Sequence, residues 1–163
     1  MQNLIDHYWM RYAMSLAMRA EQEGEIPVGA VVILNDHIIG EGWNRSIIDN
    51  DPTAHAEMIA IRQAGQLVGN YRLLGATLYV TLEPCIMCSG AMIHSRIRRL
   101  VYGASDHKTG AVASVFPILT DVRHNHQIEV IGGIESEACS SLLSSFFRKR
   151  RQEKKANKSI IQI

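Results

Sequence analysis

The sequence predicts an α/β layered domain with a central mixed sheet of about five strands. Two observations carry this expectation. Short apolar runs rich in Val, Ile, Leu and Thr alternate with stretches of helical periodicity, in the order β-β-α-β-α-β-β-α behind an opening helix. The chain has 163 residues, 47% of them hydrophobic and 20% charged, enough for one core without disulfide staples.

The elements follow in order. Leu4 to Gln22 places Ile5, Tyr8, Tyr12, Leu16 and Ala20 at helical spacing, and Gly24 stops that helix. Val28 to Leu34 reads as a buried strand, Asn35-Asp36 as a turn, and His37 to Trp43 as the returning strand. Asn44 to Asp51 is a polar loop. Asp51-Pro52 reads as a helix start, with Asp as cap and Pro at the first helical position. That helix carries His55, Glu57, Ile59, Ala60 and Ile61 and ends near Gly65. Ala76 to Leu82 is a strand. Glu83-Pro84 opens a helix from Cys85 to His94, and Arg98 to Tyr102 is the next strand. Gly103 to Gly110 forms a polar loop, Ile128 to Ile131 a last strand, and Glu135 to Arg151 a last helix. The expected organisation is one domain over residues 1–151 and a basic, disordered tail over 152–163.

Charge is unevenly spread. From Arg148 onward seven basic residues face one acid, Glu153, so an end of charge +6 follows a body of charge −5. This asymmetry points to a polyanionic partner met at one end. Three cysteines, Cys85, Cys88 and Cys139, do not make a secreted disulfide framework. The opening residues, with Asp6 and no long apolar run, read as neither signal peptide nor membrane span. A reducing, cytoplasmic setting and no membrane partner are expected.

Two short stretches carry chemistry: His55-Ala56-Glu57 and Pro84-Cys85-Ile86-Met87-Cys88. Zinc takes imidazole nitrogen and thiolate sulfur readily, and two cysteines three apart at a helix start can point at one ion. The unpaired N–H groups of a helix N-terminus favour thiolates there. With His55 as third ligand, one tetrahedral position stays open, as catalytic zinc sites require. Glu57 is a fourth ligand or, more productively, the general acid–base. Zinc lowers the pKa of bound water to about 7, and a neighbouring carboxylate takes up and redelivers that proton. Alone, a C-x-x-C is often a redox pair or half of a structural zinc site, and a lone HAE is usually nothing. Their combination carries the reading.

The stretch Thr81–Ile97 (TLEPCIMCSGAMIHSRI) resembles the bacterial tRNA-specific adenosine deaminases. So do Pro27–Ala30 (PVGA), Gly42–Asn44 (GWN), Asp51–Glu57 (DPTAHAE), Asp106–Gly110 (DHKTG) and Phe146–Arg151 (FFRKRR). The short gap between Cys85 and Cys88 sets the chain apart from riboflavin-pathway deaminases. The resemblance runs from about Tyr8 to Arg151. It implies a three-layer α/β/α cytidine-deaminase-like fold and one Zn2+ per subunit, held by His55, Cys85 and Cys88. It implies hydrolysis of adenosine to inosine at the wobble position of a tRNA anticodon, with Glu57 moving the protons. A homodimer and an arginine tRNA are implied as partners, with Met92–Arg99 as a candidate dimer contact.

The resemblance also assigns substrate contacts. Asn44 would bind base or ribose, where a turn residue is the plain alternative. Asp106 would touch nucleotides beside the target and Lys108 a phosphate. Of Phe146 and Phe147, adjacent and so on different helix faces, one is core and the other, Phe147, stacks on a base. Arg148, Arg150 and Arg151 would clamp phosphates. Pro27–Ala30 would let backbone approach the pocket at Gly29 and Ala30. His94, His107, His124 and His126 are expected at the surface, and Cys139 in the core. Two alternatives remain: a zinc deaminase of a free guanine- or cytosine-type base or nucleotide, and a non-catalytic zinc-stabilised RNA-binding module.

Overall fold

The computed structural model describes residues 1–161. The elements are α1 (Gln2–Gln22), β1 (Gly29–Leu34), β2 (His37–Trp43), α2 (Ala56–Val68), β3 (Thr77–Leu82), α3 (Ile86–His94), β4 (Arg99–Ala104), β5 (Glu129–Ile131) and α4 (Ser136–Ile161). The sheet order is β2-β1-β3-β4-β5. Strand β1 is antiparallel to β2 and β3, whereas β3, β4 and β5 run parallel. This is the expected mixed sheet of five strands.

Alternation along the strands sends side chains into two cores. Ala30 and Val32 of β1, Leu78 and Val80 of β3 and Leu100 of β4 pack with Ala56, Ala60 and Ala64 of α2 and Met92 of α3. Val31 and Ile33, Tyr79 and Val101 pack on the opposite face with Met10, Ala13 and Leu16 of α1 and Cys139 of α4. The result is three layers, α2 and α3 on one side, α1 and α4 on the other. Among the described residues no helix is long and apolar enough to cross a membrane.

Four expectations are corrected. The buried face of α1 is Asp6, Met10, Ala13, Leu16, Ala17 and Ala20, while Tyr8 is exposed. Asp6 is buried because Arg99 of β4 meets its carboxylate with two bonds of 2.7 Å and the Tyr79 hydroxyl donates to it at 2.9 Å. Asp51-Pro52 is not a helix start. The Asp51 carboxylate accepts the Thr53 amide and hydroxyl, both at 2.8 Å, which makes a turn, and α2 begins at Ala56. At its other end α2 passes Gly65 and stops at Val68, where Gly69 takes the left-handed conformation. Finally, α4 does not stop near Arg151. Gln152, Glu153, Lys154, Lys155 and Ala156 are good helix formers, and the helix continues, exposed, to Ile161. The expected tail over 152–163 is helical over 152–161, and its residues 162 and 163 lie outside the described residues.

Candidate active site and metal centre

The starts of α2 and α3 meet at the carboxyl end of β3. His55 is the N-cap residue of α2 and Cys85 that of α3, and neither uses its side chain to cap its own helix. Both side chains turn to the space between the helices. His55 Nδ1 lies 3.6 Å from the sulfurs of both Cys85 and Cys88. The three donor atoms are all within 4.8 Å of one another. A tetrahedral zinc bonds sulfur at about 2.3 Å and imidazole nitrogen at about 2.0–2.1 Å, which holds S and N about 3.6 Å apart. The donor set fits zinc in kind and in spacing.

Electrostatics favour a cation there. A hydrogen bond from Cys88, and a second from His55, hold the Cys85 thiol down at about 4. Cys88 is pushed up, first by that same bond to Cys85 and then by burial. Glu57, in the first turn of α2, is 4% exposed. Burial raises its carboxyl above the ordinary range, and the neighbouring His55 opposes this.

A cavity of about 510 Å³ opens over this centre, within the range of small-molecule sites. His55, Glu57 and Cys85 form its floor. Ile26, Val28, Leu82, Leu143 and Phe147 make an apolar wall, and Asp106 to Thr109 make a polar rim. Asn44 also lines it, and its side-chain oxygen accepts the Ala56 amide at 2.9 Å.

The cytidine and deoxycytidylate deaminase zinc-binding region matches residues 4–104. The tRNA-specific adenosine deaminase of Haemophilus influenzae is 58% identical over 96% of this chain and 91% of its own length. The chain belongs to this zinc-binding deaminase family, among the tRNA-specific adenosine deaminases. The corresponding protein of Bacillus subtilis is 45% identical over 93% of this deaminase and 94% of its own. A structure solved in studies of A-to-I editing by tRNA:A34 deaminases superposes with a TM-score of 0.80 at 42% identity, covering 83% of this chain and 99% of that one. A guanine deaminase from Nitrosomonas europaea gives 0.71 at 25% identity, covering 84% and 81%.

The remaining predicted residues are placed as follows. Phe146 is buried and Phe147 stands at the cavity wall, 43% exposed. Lys108 is on the rim. Asp106 is there too, but its carboxylate accepts the Lys108 and Thr109 amides and the Thr109 hydroxyl, at 3.0–3.1 Å, so it organises the rim itself. Arg148 and Arg151 are exposed on α4. Arg150 instead donates to the Gly24 carbonyl and lies 5.1 Å from the Phe146 ring, tying α4 to the end of α1. Ala30 is fully buried in β1 and does not line the cavity. A Cβ at Gly29 would come 2.1 Å from the Ala13 carbonyl, so Gly29 admits α1 to the sheet and not a substrate to the pocket. Within Met92–Arg99, Met92, Ser95, Ile97 and Arg99 are buried in the chain itself, His94 and Arg98 are exposed, and Ile93 and Arg96 are half-buried.

Cys139 is buried, as expected, and His94 and His107 are exposed. His124 and His126 are half-buried, each ring bonded to a backbone carbonyl, of Ile118 and Ile97. Glu83, given no role from the sequence, is buried and accepts hydrogen bonds from across the 106–114 loop. Only its position before Pro84-Cys85 signalled it.

Proposed function

We propose that this deaminase converts adenosine to inosine at the wobble position of a tRNA anticodon, releasing ammonia. The observation that carries the chemistry is a buried carboxylate, Glu57, beside a His-Cys-Cys donor set at the floor of a cavity with room for one base. The tRNA substrate is supported by the 58% identity to an enzyme specific for tRNA.

His55, Cys85 and Cys88 would hold the ion. Zinc, when bound, supplies a Lewis acid that brings the pKa of water to about 7. Glu57 would take one proton from the water that attacks the amine-bearing purine carbon and pass it to the ring nitrogen. It would then carry the remaining water proton, now on the new C–OH, to the exocyclic amine as the C–N bond breaks, so one water enters and one ammonia leaves. Its burial keeps those protons from bulk solvent. The wall of Val28, Leu82 and Phe147 excludes water and offers a ring face for stacking. The Asn44 amide nitrogen, free of the bond its oxygen makes to Ala56, is available to base or ribose. Lys108 on the rim and Arg148 and Arg151 on α4 would meet phosphates, and Asp106 would set the path of the flanking nucleotides.

The partner reading is a homodimer acting on an arginine tRNA in the cytoplasm. Sedimentation at twice the chain mass supports the dimer, and a single-chain mass refutes it. The guanine deaminase likeness keeps one alternative in view, a free-base substrate. The deciding experiment incubates the zinc-loaded protein with an anticodon stem-loop bearing a wobble adenosine, and with free adenosine, guanine and cytidine. Inosine in the RNA alone, absent with Glu57→Ala, is expected. Conversion of a free base instead would overturn the tRNA reading, and no product with zinc retained would favour a binding module.

A further inference from the structure

Between β4 and β5 the chain has no strand partner to organise it, yet it carries the rim of the cavity. One side chain takes the place of a sheet edge. Glu83 directly follows β3, its own amide donating to the Ala104 carbonyl at 2.8 Å, and it is 2% exposed. Its Oε1 accepts the Asp106 amide at 3.1 Å and the Ser114 hydroxyl. Its Oε2 accepts the amides of Val112, Ala113 and Ser114 at 3.0–3.2 Å. A carboxylate has about four lone-pair sites, so this one is saturated by a single loop.

The same segment holds the loop at two further points. The Ala111 amide donates to the Pro84 carbonyl at 2.8 Å, and the Ser89 hydroxyl to the Ala111 carbonyl at 3.4 Å. Residues 83–89 therefore bear both cysteine ligands and the anchor of the rim. Space is closed as well: a Cβ at Gly110 would come 2.5 Å from the Glu83 carboxyl carbon.

We propose that Glu83 is a positioning residue for substrate: it fixes the Asp106–Thr109 rim at a set height above the metal ligands, and so sets how tightly and how selectively the nucleotide is held. The inference rests on the cavity being the nucleotide site. It does not make Glu83 a catalytic residue, because its oxygens are spent on the loop. The two oxygens also have distinct loads. In Glu83→Gln the three amides on Oε2 require the amide oxygen there. The new NH2 then faces the Asp106 amide, which is left without an acceptor, while Ser114 turns its hydroxyl to accept. The substitution frees the Asp106 end of the loop and leaves the other end tied.

The experiment compares zinc-loaded wild type, Glu83→Gln and Ser114→Ala. It measures hydrogen exchange of the loop amides without substrate, zinc content, and kcat and KM on the anticodon stem-loop. For Glu83→Gln the expectation is one zinc per chain, exchange over 106–109 faster by about tenfold, and KM raised about tenfold with kcat little changed. Ser114→Ala should show the same pattern, smaller, and stands in if Glu83→Gln does not fold. Unchanged exchange, or a fall in kcat with loss of zinc and KM constant, would overturn the proposal. If wild type is inactive on RNA, the tRNA reading fails, and the exchange data with KM for whichever free base is converted still decide Glu83.

Discussion

The Asn44 side-chain oxygen accepts the Ala56 amide at 2.9 Å, across 12 residues of chain. It supplies the cap that His55, the N-cap residue of α2, does not give because its ring is turned to the cysteines. A side chain on the cavity wall thereby fixes the helix start that presents both His55 and Glu57. Asn44→Ala should cost about 1 kcal/mol, the usual worth of a cap. It should also weaken zinc, because His55 loses its fixed backbone. Thermal melting and a zinc competition titration measure the two effects, and Asn44→Asp should recover the first.

Glu57→Gln keeps the shape of the buried carboxyl and removes its proton traffic. Zinc content should stay at one per chain, since the donor set lies in His55, Cys85 and Cys88. Inosine formation should fall by at least 10²–10⁴, the typical worth of a positioned acid–base group. Loss of zinc in this variant would instead make Glu57 a fourth ligand.

Local patterns in the sequence were enough for some of this and not for the rest. Strand β2 spans His37–Trp43 in both readings, because its turn and its alternation are encoded in adjacent residues. The donor set was legible because zinc chemistry restricts the residue types, so His55 and the C-x-x-C stood out before any contact was known. Asp51-Pro52 misled because a capping aspartate and a turn aspartate look alike until its donor partner, Thr53, is seen. Ala30 was read as lying against the pocket, whereas packing against α2, encoded far along the chain, buries it in the core. The position of Glu83 before Pro84-Cys85 marked it, but its role stayed hidden because its donors lie 23 to 31 residues on.

The Asp6–Arg99 pair makes a prediction in acid. Burial pushes the Asp6 carboxyl up, but hydrogen bonds from Arg99, Tyr79 and Gln2 prevail and hold it below its ordinary 3.8. A carboxyl lowered on folding stabilises the fold fully above its unfolded value and loses that contribution as pH falls through the folded one. The stability from this pair should therefore be intact above about pH 4 and decline below it. Asp6→Asn should flatten that acid limb. At neutral pH it should cost about 3–5 kcal/mol, because Arg99 is left buried with Glu129 alone, at 3.5 Å, as a counter-charge. Denaturant melts from pH 7 to pH 2.5 measure both.

Stripping the metal should destabilise the protein as well as inactivate it. The site joins α2 to α3, and without an ion Cys85 and Cys88 compete for one charge. A chelator should lower the melting temperature, and zinc should restore it in proportion to its concentration over its dissociation constant. Magnesium should not, because it prefers oxygen ligands. Equal melting of the apo and zinc forms would make the site catalytic only.

The end of α4 separates two kinds of arginine. Arg148, Arg151, Lys155 and Lys158 recur at spacings of three and four, which puts them on one helix face, and all are exposed. Phe147 at the cavity wall precedes the first of them. Each phosphate met by such a charge adds about −0.7 to −0.9 to the log–log salt dependence of RNA affinity. With about five charges engaged, wild type should show a slope of about −3.5 to −4.5. Changing those four residues to Gln should make it about 3 less steep, with melting little changed because these exposed side chains make no hydrogen bond or ion pair among the described residues. Arg150→Gln should do the reverse. It loses the Gly24 carbonyl and the Phe146 ring, so melting falls while the salt slope holds. Filter binding of the anticodon stem-loop at 50–300 mM salt, run beside thermal melts, tells the two apart. A slope that Arg150→Gln flattens as much as the fourfold variant would mean that its guanidinium leaves Gly24 to meet the RNA.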